Sequence, residues 1–311
     1  MAQQRYNDLN VLLSAHFDGK MQKISLHAGF TCPNRDGTKG TGGCTYCNNQ
    51  TFSPEYCMSR ETITNQLKKG AHFFSRKYPA MRFLAYFQSY TNTYADLNVL
   101  IDKYEEALRF DRVEGLIIGT RPDCMSKALL DYLEDLARRK FVLVEFGVES
   151  TNDNTLKYIN RGHSYKDTED AIQRTVSRGI MVGAHLILGL PGETKDDILT
   201  HSRRISRLPL TTVKLHQLQL IKGTKMVEQQ KENPHLFYFY SIDEYIELVI
   251  DFVELLHPNF IVERFVSQSP KELLIYPDWG LKNNEITVKI IRRMNERDTW
   301  QGKQYADLKM C

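Results

Sequence analysis

The sequence predicts an α/β fold, an open or partial (β/α)6 barrel followed by a C-terminal α/β extension. Strand-like apolar runs alternate along the chain with segments of helical periodicity, which is typical of parallel βαβ units. Six such units occur up to Leu220, and the alternation changes after it. We therefore assign residues 1–220 to the barrel and residues 221–311 to the extension. In such a barrel, functional residues are expected in the loops that follow the strands.

The elements of the predicted barrel follow from their apolar patterns. The strands are Lys23–Leu26, Arg82–Phe87, Val113–Ile118, Val142–Phe146, Met181–Leu188 and Val213–Leu220. The helices between them are Thr62–Lys77, Asp96–Phe110, Ser126–Lys140, Tyr165–Arg178 and Thr194–Arg207. In the second helix, apolar residues recur three and four positions apart and so share one face. In the extension, which we expect to pack on the barrel, the pattern predicts a helix at Ile242–Leu256, a strand at Phe260–Val266 and a helix at Glu285–Glu296.

The composition is that of a globular protein with a sizeable core. Of 311 residues, 41% are hydrophobic and 25% are charged, which excludes a fibrous or largely disordered chain. The net charge of +3 neither demands nor excludes a nucleic-acid partner. No run of about 18 apolar residues predicts a membrane span, and the N-terminus lacks the apolar stretch of a signal peptide. We therefore expect a cytoplasmic protein whose six cysteines stay reduced.

Three cysteines lie close together in a loop after the first predicted strand. Cys32, Cys44 and Cys47 belong to the sequence CPNRDGTKGTGGCTYC at residues 32–47. The eleven residues between the first two cysteines include four glycines and no aliphatic side chain, so this loop is suited to wrapping a ligand. Two metal sites compete here. One is structural zinc with Cys57 as the fourth ligand, and the other is a [4Fe–4S] cluster with three thiolates and one open iron.

A second motif favours the cluster. The sequence HLILGLPGET, His185–Thr194, ends the fifth predicted strand. Together with the three-cysteine loop it strongly resembles the radical S-adenosylmethionine (SAM) superfamily. The resemblance implies a partial (β/α)6 TIM-like barrel, a [4Fe–4S] cluster held by Cys32, Cys44 and Cys47, and SAM bound to the fourth iron. In that family an electron from the cluster cleaves SAM to methionine and a 5′-deoxyadenosyl radical, which abstracts hydrogen from the substrate.

Four further stretches narrow the resemblance. The cysteine loop, Phe87–Thr93, Gly119–Asp123 and Val144–Ser150 are similar to the YhcC/YtqA-type subgroup. The last two stretches and Arg161–His163 also resemble the radical SAM domain of the Elongator catalytic subunit, which acts on the wobble uridine of tRNA. The resemblance therefore implies modification of a wobble-uridine side chain, with tRNA as partner. It also implies a reducing protein such as flavodoxin or ferredoxin as electron donor.

The resemblance also implies a set of SAM contacts at the strand ends. They are Tyr46, Ser89, Tyr90, Thr91, Asn92, Glu149, Ser150, Arg161, Gly189, Pro191, Gly192 and His216. The segment 89–92 departs from the Gly-Gly-Glu-like motif that the family often has there, because it contains no carboxylate. Glu145 lies within a buried strand and needs a partner, for which Arg121 is a candidate. No catalytic residue is assigned.

Each proposed contact has an expected role. Tyr46 is expected near the adenine. Glu149 and Ser150 are expected to bond the ribose hydroxyls, and Arg161 to pair with the SAM carboxylate. The Gly189–Gly192 turn is expected to present backbone groups to the adenine, whose pocket His216 would line.

The partner and the reaction remain open at the level of sequence. Phosphate contacts to tRNA are expected from Lys289, Arg292 and Arg293, and base stacking from the aromatic run at Phe237–Tyr240. One alternative is a radical SAM enzyme acting on a small metabolite. Another is a non-catalytic, zinc-stabilised binding protein, which would require Cys57.

Overall fold

A computed structural model describes residues 4–51, 53–75, 78 and 80–305. The strands are β1 Met21–Leu26, β2 Arg82–Phe87, β3 Val113–Thr120, β4 Phe141–Glu149, β5 Met181–Leu188, β6 Thr212–Gln217, β7 Leu220–Ile221, β8 Ile261–Arg264 and β9 Leu274–Tyr276. The helices are α1 Leu9–His16, α2 Ile63–Ser75, α3 Leu97–Leu108, α4 Lys127–Ala137, α5 Asp153–Tyr158, α6 Tyr165–Val176, α7 Lys195–Ile205, α8 Lys225–Glu232, α9 Ile242–Glu254 and α10 Asn283–Glu296. In the described part of the chain no helix is both long and apolar enough to cross a membrane.

The main sheet is parallel, and its strand order follows the chain. The order is β1-β2-β3-β4-β5-β6-β8, and every neighbouring pair is parallel. Helices connect the strands, so the predicted α/β partial barrel is confirmed. β1 and β8 are the two ends of this order, which leaves the barrel open between them.

Local sequence signals start several of the connecting helices. Ser164, Thr194 and Ser241 each form a capping box, in which the hydroxyl accepts from a backbone N–H of the first turn and an acidic side chain returns the bond. Ser126 and Asp96 cap α4 and α3 with a single side-chain bond. These caps fix the residue at which each helix begins.

The sixth predicted strand is wrong in its extent. The pattern predicted one strand over Val213–Leu220, but β6 ends at Gln217, and Leu220 belongs to β7, which pairs antiparallel with β9. The side chain of Gln217 exchanges two hydrogen bonds with the backbone of Ser267, which redirects the chain here. The two consecutive polar residues His216 and Gln217 shift the phase of the alternation at this break. The prediction treated the alternation as continuous and so missed it.

The C-terminal segment is part of the sheet as well as a cover for it. The predicted strand Phe260–Val266 contains β8, which pairs with β6 as the seventh strand. Helix α8 was not predicted, since only Met226 on it is buried and its sequence is polar. The predicted helix Thr62–Lys77 corresponds to α2, and its last two predicted residues lie outside the described residues. The division at residues 220 and 221 stays a prediction.

Two apolar clusters cover the two faces of the sheet. The larger one lies between the strands and the surrounding helices. The smaller one contains Leu12 of α1 and strand residues such as Leu84, Ile117 and Leu143. A parallel sheet needs apolar contacts on both faces, and here α1 supplies part of the second cover.

A buried group of charged side chains joins the strands inside the barrel. Lys214 Nζ on β6 lies 2.6 Å from Glu145 Oε2 on β4 and 3.0 Å from Glu263 Oε1 on β8. Lys23 Nζ on β1 lies 2.5 Å from Glu263 Oε2 and 3.5 Å from Glu145 Oε1. We call these four side chains the barrel quartet. Its two positive and two negative charges balance, and the Lys23–Glu263 pair bridges the open edge between β1 and β8.

The quartet keeps its carboxylates ionised. Burial by itself would raise the pKa of Glu145, but Lys214 and Lys23 outweigh burial and hold it well below its usual value. The same two lysines lower the pKa of Glu263 against the effect of burial. His185 Nε2 lies 3.0 Å from Glu145 Oε2. Burial and the charge of Lys214 lower the pKa of His185, which favours its neutral ring near neutral pH.

Replacing Lys214 should destabilise the fold strongly. Lys214→Met leaves the two carboxylates of the quartet with Lys23 as their one remaining lysine partner, so the group carries a net negative charge inside the barrel. Breaking a buried ion pair in this way costs about 3–5 kcal/mol in the free energy of unfolding. The matched control is Lys166→Met, which removes an exposed lysine that pairs with Asp170 on α6 and should leave stability unchanged. Chemical denaturation of both variants measures the difference. Equal stability of the two variants would contradict a structural role for the quartet.

Candidate functional site

A cavity of about 240 Å³ opens at the carboxyl ends of the strands. It is lined by residues at or just after the ends of successive strands, Gln88, Thr120, Glu149, Ile187 and Gln217. The cysteine loop forms another side, with Cys32, Cys44 and Cys47 all in the lining. Residues 264–269 of the C-terminal segment contribute Arg264, Ser267, Gln268 and Ser269. The cavity therefore draws on both the barrel and the extension.

The cysteine loop is held by its own backbone and by the segment after α5. Arg35 N–H donates to the Cys32 carbonyl at 2.8 Å, and Cys47 N–H donates to the Cys44 carbonyl at 3.0 Å. The Asn160 amide donates to the Gly43 carbonyl at 2.8 Å, while Asn34 donates to the Asn160 carbonyl at 2.5 Å. Asn160 has a φ of 52°, which this asparagine tolerates as it returns the chain to the loop. The loop is thus ordered by polar contacts in place of an apolar core.

The sulfur atoms meet side-chain N–H donors. Arg161 Nη1 lies 3.5 Å from Cys44 Sγ, Asn34 Nδ2 lies 3.7 Å from the same sulfur, and Asn49 Nδ2 lies 3.8 Å from Cys47 Sγ. Burial raises the pKa of the Cys47 thiol to about 11, and the neighbouring Cys44 acts in the same direction. Soft sulfur ligands with N–H donors around them suit an iron–sulfur cluster, whose potential such hydrogen bonds tune.

The cysteines line one cavity without forming a ready metal site. Across the described residues, no three His, Cys, Asp or Glu side chains are arranged to hold a metal ion. Cys57 is buried, and its thiol contacts the Ser89 hydroxyl, outside the cavity lining. Cys124 also lies outside the lining, where its thiol donates to Asp123 at 3.7 Å. Cys57 therefore does not line the cavity that the other three cysteines share, which disfavours it as a fourth zinc ligand.

Arg161 is the centre of a second polar group in the cavity. Its Nη2 lies 2.6 Å from the Gly147 carbonyl and 3.6 Å from Glu149 Oε1. A Cβ on Gly147 would lie 2.6 Å from Arg161 Nη2, so a side chain at that position would push the guanidinium away. Glu149 has a φ of 65°, at a point where the β4–β5 register shifts. Strain of this kind is concentrated at functional sites.

The sequence-predicted SAM contacts divide into two groups. One group lines the cavity, Tyr46, Tyr90, Thr91, Glu149, Arg161 and His216. The other group does not, Ser89, Asn92, Ser150, Gly189, Pro191 and Gly192. Asn92 donates its amide to the carbonyls of Phe87 and Gly119, and the Ser150 hydroxyl donates to Glu193 at 2.5 Å. These two side chains are engaged within the protein.

The glycine turn after β5 contacts the extension. Gly192 N–H donates to the Leu236 carbonyl at 2.7 Å. A Cβ on Gly189, whose φ is +86°, would lie 3.1 Å from Tyr240 Cε2. In this structure the turn therefore fixes the segment that carries the aromatic run.

Several cavity residues were missed at the level of sequence, and one partner was wrong. Arg35, Gln88, His185 and Arg264 line the cavity but were not among the predicted contacts. Arg121 was the suggested partner of Glu145, but it pairs with Asp123 at 2.9 Å, while Glu145 contacts the lysines of the barrel quartet. Alternation of Lys214 and His216 on one strand was a signal that could have suggested a polar barrel interior.

Comparisons with known proteins identify the family of this chain. The model of the radical SAM superfamily matches residues 34–205, and that of the Radical_SAM C-terminal domain matches residues 210–296. The chain is 36% identical to YtqA of Bacillus subtilis (strain 168) over 98% of its own length and 94% of that protein. The resemblance to the YhcC/YtqA-type subgroup is thereby confirmed.

Two further similarities concern a protein named for tRNA uridine(34) and an archaeal Elp3 structure. The chain is 28% identical to the tRNA uridine(34) acetyltransferase of Dehalococcoides mccartyi (strain CBDB1), over 56% of this chain and 37% of that protein. The archaeal Elp3 of Methanocaldococcus infernus shares the fold, with a TM-score of 0.69 and 19% identity over 92% of this chain and 65% of that one. The parallel partial barrel, the cysteine-lined cavity at its strand ends and the match of the family model over more than half of the chain lead to one conclusion: the protein belongs to the radical SAM superfamily of enzymes.

Proposed function

We propose that Cys32, Cys44 and Cys47 hold a [4Fe–4S] cluster, that SAM binds beside it, and that the enzyme modifies tRNA at the wobble uridine. The observation that carries the first part is that the three thiols and the ends of five strands line one cavity. When bound, the cluster would supply the electron that cleaves SAM to a 5′-deoxyadenosyl radical. Cys57 and Cys124, which lie outside the cavity lining, are left out of the ligand set.

The side chains around the cavity would bind and orient SAM. The Arg161 guanidinium is charged and positioned by the Gly147 carbonyl, so it is the candidate for the SAM carboxylate. Glu149 beside it would accept from an amine or hydroxyl group of SAM. Tyr46, Tyr90 and Thr91 also line the cavity and would complete the binding surface. The Arg35 side chain donates to the Cys47 carbonyl at 3.1 Å and would hold the cysteine loop in place.

The tRNA part of the proposal is supported by relatives. A protein whose name includes tRNA uridine(34) acetyltransferase shares 28% identity over 56% of this chain. The shared region covers 37% of that protein, so its whole activity is not carried over to this chain. What carries over is the expectation that a barrel of this kind receives a uridine of tRNA.

The charges near the cavity mouth favour phosphate contacts different from those expected from sequence. Arg292 and Arg293 on α10 pair with Glu296, and Arg293 also lies 2.5 Å from Glu247. Lys222 directly follows the cavity residue Ile221, and its carbonyl accepts from Asn48, the residue after the cysteine loop. Lys225 opens α8, and the next residue donates its N–H to the Thr45 carbonyl.

Together with Lys271, these two lysines form an exposed basic group that we call the mouth lysines. Lys271 lies two residues beyond the cavity residue Ser269. None of the three forms a salt bridge with any residue that the structure describes. Free positive charges near the entrance suit phosphate better than arginines already paired with carboxylates.

The cysteine assignment predicts which thiols the cluster needs. Cys32→Ala, Cys44→Ala and Cys47→Ala should each lose iron and sulfide, because each removes one ligand. Cys57→Ala and Cys124→Ala are the matched controls and should retain both. Iron, sulfide and zinc are measured after anaerobic purification. Loss of the metal in Cys57→Ala, or zinc in place of iron, would favour the zinc-stabilised binding protein.

The enzyme proposal predicts SAM cleavage and a missing tRNA modification. The reduced, clustered protein should convert SAM to 5′-deoxyadenosine, measured by chromatography. Nucleosides from tRNA of a deletion strain should lack one modified uridine in mass spectrometry, and the gene in trans should restore it. Cleavage without any change in tRNA nucleosides would favour a small metabolite as substrate.

Neutralising the mouth lysines should weaken tRNA binding and its dependence on salt. The triple replacement of Lys222, Lys225 and Lys271 by Gln should reduce the slope of log K against log salt by roughly 0.7 to 0.9 for each phosphate that is no longer neutralised. The comparison variant replaces Lys289, Arg292 and Arg293 by Gln, which removes the same charge from α10. Binding isotherms at several salt concentrations measure both slopes. A larger change in the α10 variant would contradict the choice of the mouth lysines.

A further inference from the structure

One arginine inside the barrel has no acidic partner. Arg264 Nη2 lies 3.0 Å from His216 Nε2, and its Nε is buried without a hydrogen-bond partner. Arg264 forms no salt bridge with any carboxylate in the part of the chain that the structure describes. It lines the cavity, unlike most arginines of the chain. The residue is half-buried, and a guanidinium that is partly removed from water without an anion beside it is costly, so such a residue suggests an anionic ligand.

The neighbouring charges do not neutralise Arg264. The barrel quartet is balanced within itself, since Lys23 and Lys214 offset Glu145 and Glu263. Burial and the adjacent arginine lower the pKa of His216 well below its usual value, so its ring is neutral near pH 7. Arg264 therefore leaves one unbalanced positive charge on this wall of the cavity.

A register shift in the sheet brings Arg264 to this wall. Val213 of β6 pairs with Val262, but Lys214 pairs with Arg264, so Glu263 is an extra residue between them. Glu263 contacts Lys214, and Arg264 contacts His216, two positions further along the same face of β6. Two consecutive residues of β8 thus reach the barrel interior, as a β-bulge permits. Bulges of this kind re-aim side chains beside active sites.

We propose that Arg264 is the anion-binding residue for the substrate and takes an oxyanion group, a phosphate or a carboxylate. The assignment rests on the proposed function, because it names the chemistry of the substrate that this cavity receives. Beyond Arg264, the same wall of the cavity carries the neutral side chains of Ser267, Gln268 and Ser269, which can donate and accept hydrogen bonds. Gln219 accepts from the hydroxyls of Ser267 and Ser269, which holds this wall in place. The SAM carboxylate is assigned to Arg161, on β4's side of the cavity, so the two arginines serve different ligands.

The test measures binding of two anionic probes to the clustered protein in the presence of SAM. Uridine 5′-monophosphate represents a nucleotide phosphate, and succinate represents the carboxylate of a small metabolite. Arg264→Gln should weaken the probe that binds by about tenfold or more, because a charge-assisted hydrogen bond is removed. Arg264→Lys should recover part of the affinity. Arg82→Gln, which changes an arginine at the start of β2 that pairs with Glu114, is the matched control and should bind like the wild type.

Stability and SAM affinity separate this role from others. Arg264→Gln should leave the unfolding temperature unchanged or raise it, because it removes a half-buried charge that has no acidic partner. A lowered unfolding temperature with unchanged probe binding would show a structural role and overturn the proposal. So would weaker SAM binding with unchanged probe binding, or the absence of binding by both probes. Probe binding that depends on Arg264 in a protein unable to cleave SAM would count against the proposed function and leave the anion site standing.

Discussion

The open edge of the sheet is the constraint on which the rest of this structure depends. A seven-stranded parallel sheet that does not close on itself has two terminal strands, β1 and β8, whose interior faces must still be joined. Here Lys23 and Glu263 join them directly, and Lys214 and Glu145 extend the contact to β6 and β4. Because these charges are buried, each stabilises the others only while all four are present. The quartet therefore links the two terminal strands across the open edge of the barrel.

The position of the quartet also shapes the cavity. Apolar residues around α1 fill the barrel on one side of it, and Glu145, His185 and Arg264 line the cavity on the other. A cavity lined by charged and polar side chains is compatible with ligands that carry charges, as SAM does. The family to which the chain belongs uses such ligands, and the polar groups around Cys44 and Arg161 are consistent with that chemistry.

The C-terminal segment does more than cover the barrel, because it also contributes a strand to the sheet. Its strand β8 supplies both Glu263, which bridges the open edge to β1, and Arg264, which lines the cavity. The glycine turn after β5 holds the aromatic run of the same segment through Leu236 and Tyr240. Folding of the barrel and formation of the substrate-facing wall are thus coupled, since one strand serves both.

Apolar patterns and motif spacing were enough to predict the class of fold, the cysteine loop and most strand positions. Arg82–Phe87 and Met181–Leu188 have the predicted bounds, because apolar runs of that length have few other ways to be buried. Tyr90, Glu149 and Arg161 could be predicted in the cavity, since each lies beyond the end of a predicted strand.

Which charges meet could be read only from the folded sheet. Glu145 pairs with Lys214 and Lys23, which are far away in the sequence, rather than with Arg121. Arg264 reaches the cavity through a one-residue register shift. Such pairings depend on the curvature and register of the sheet, which arise from the packing of all the strands together and leave no local pattern in the sequence.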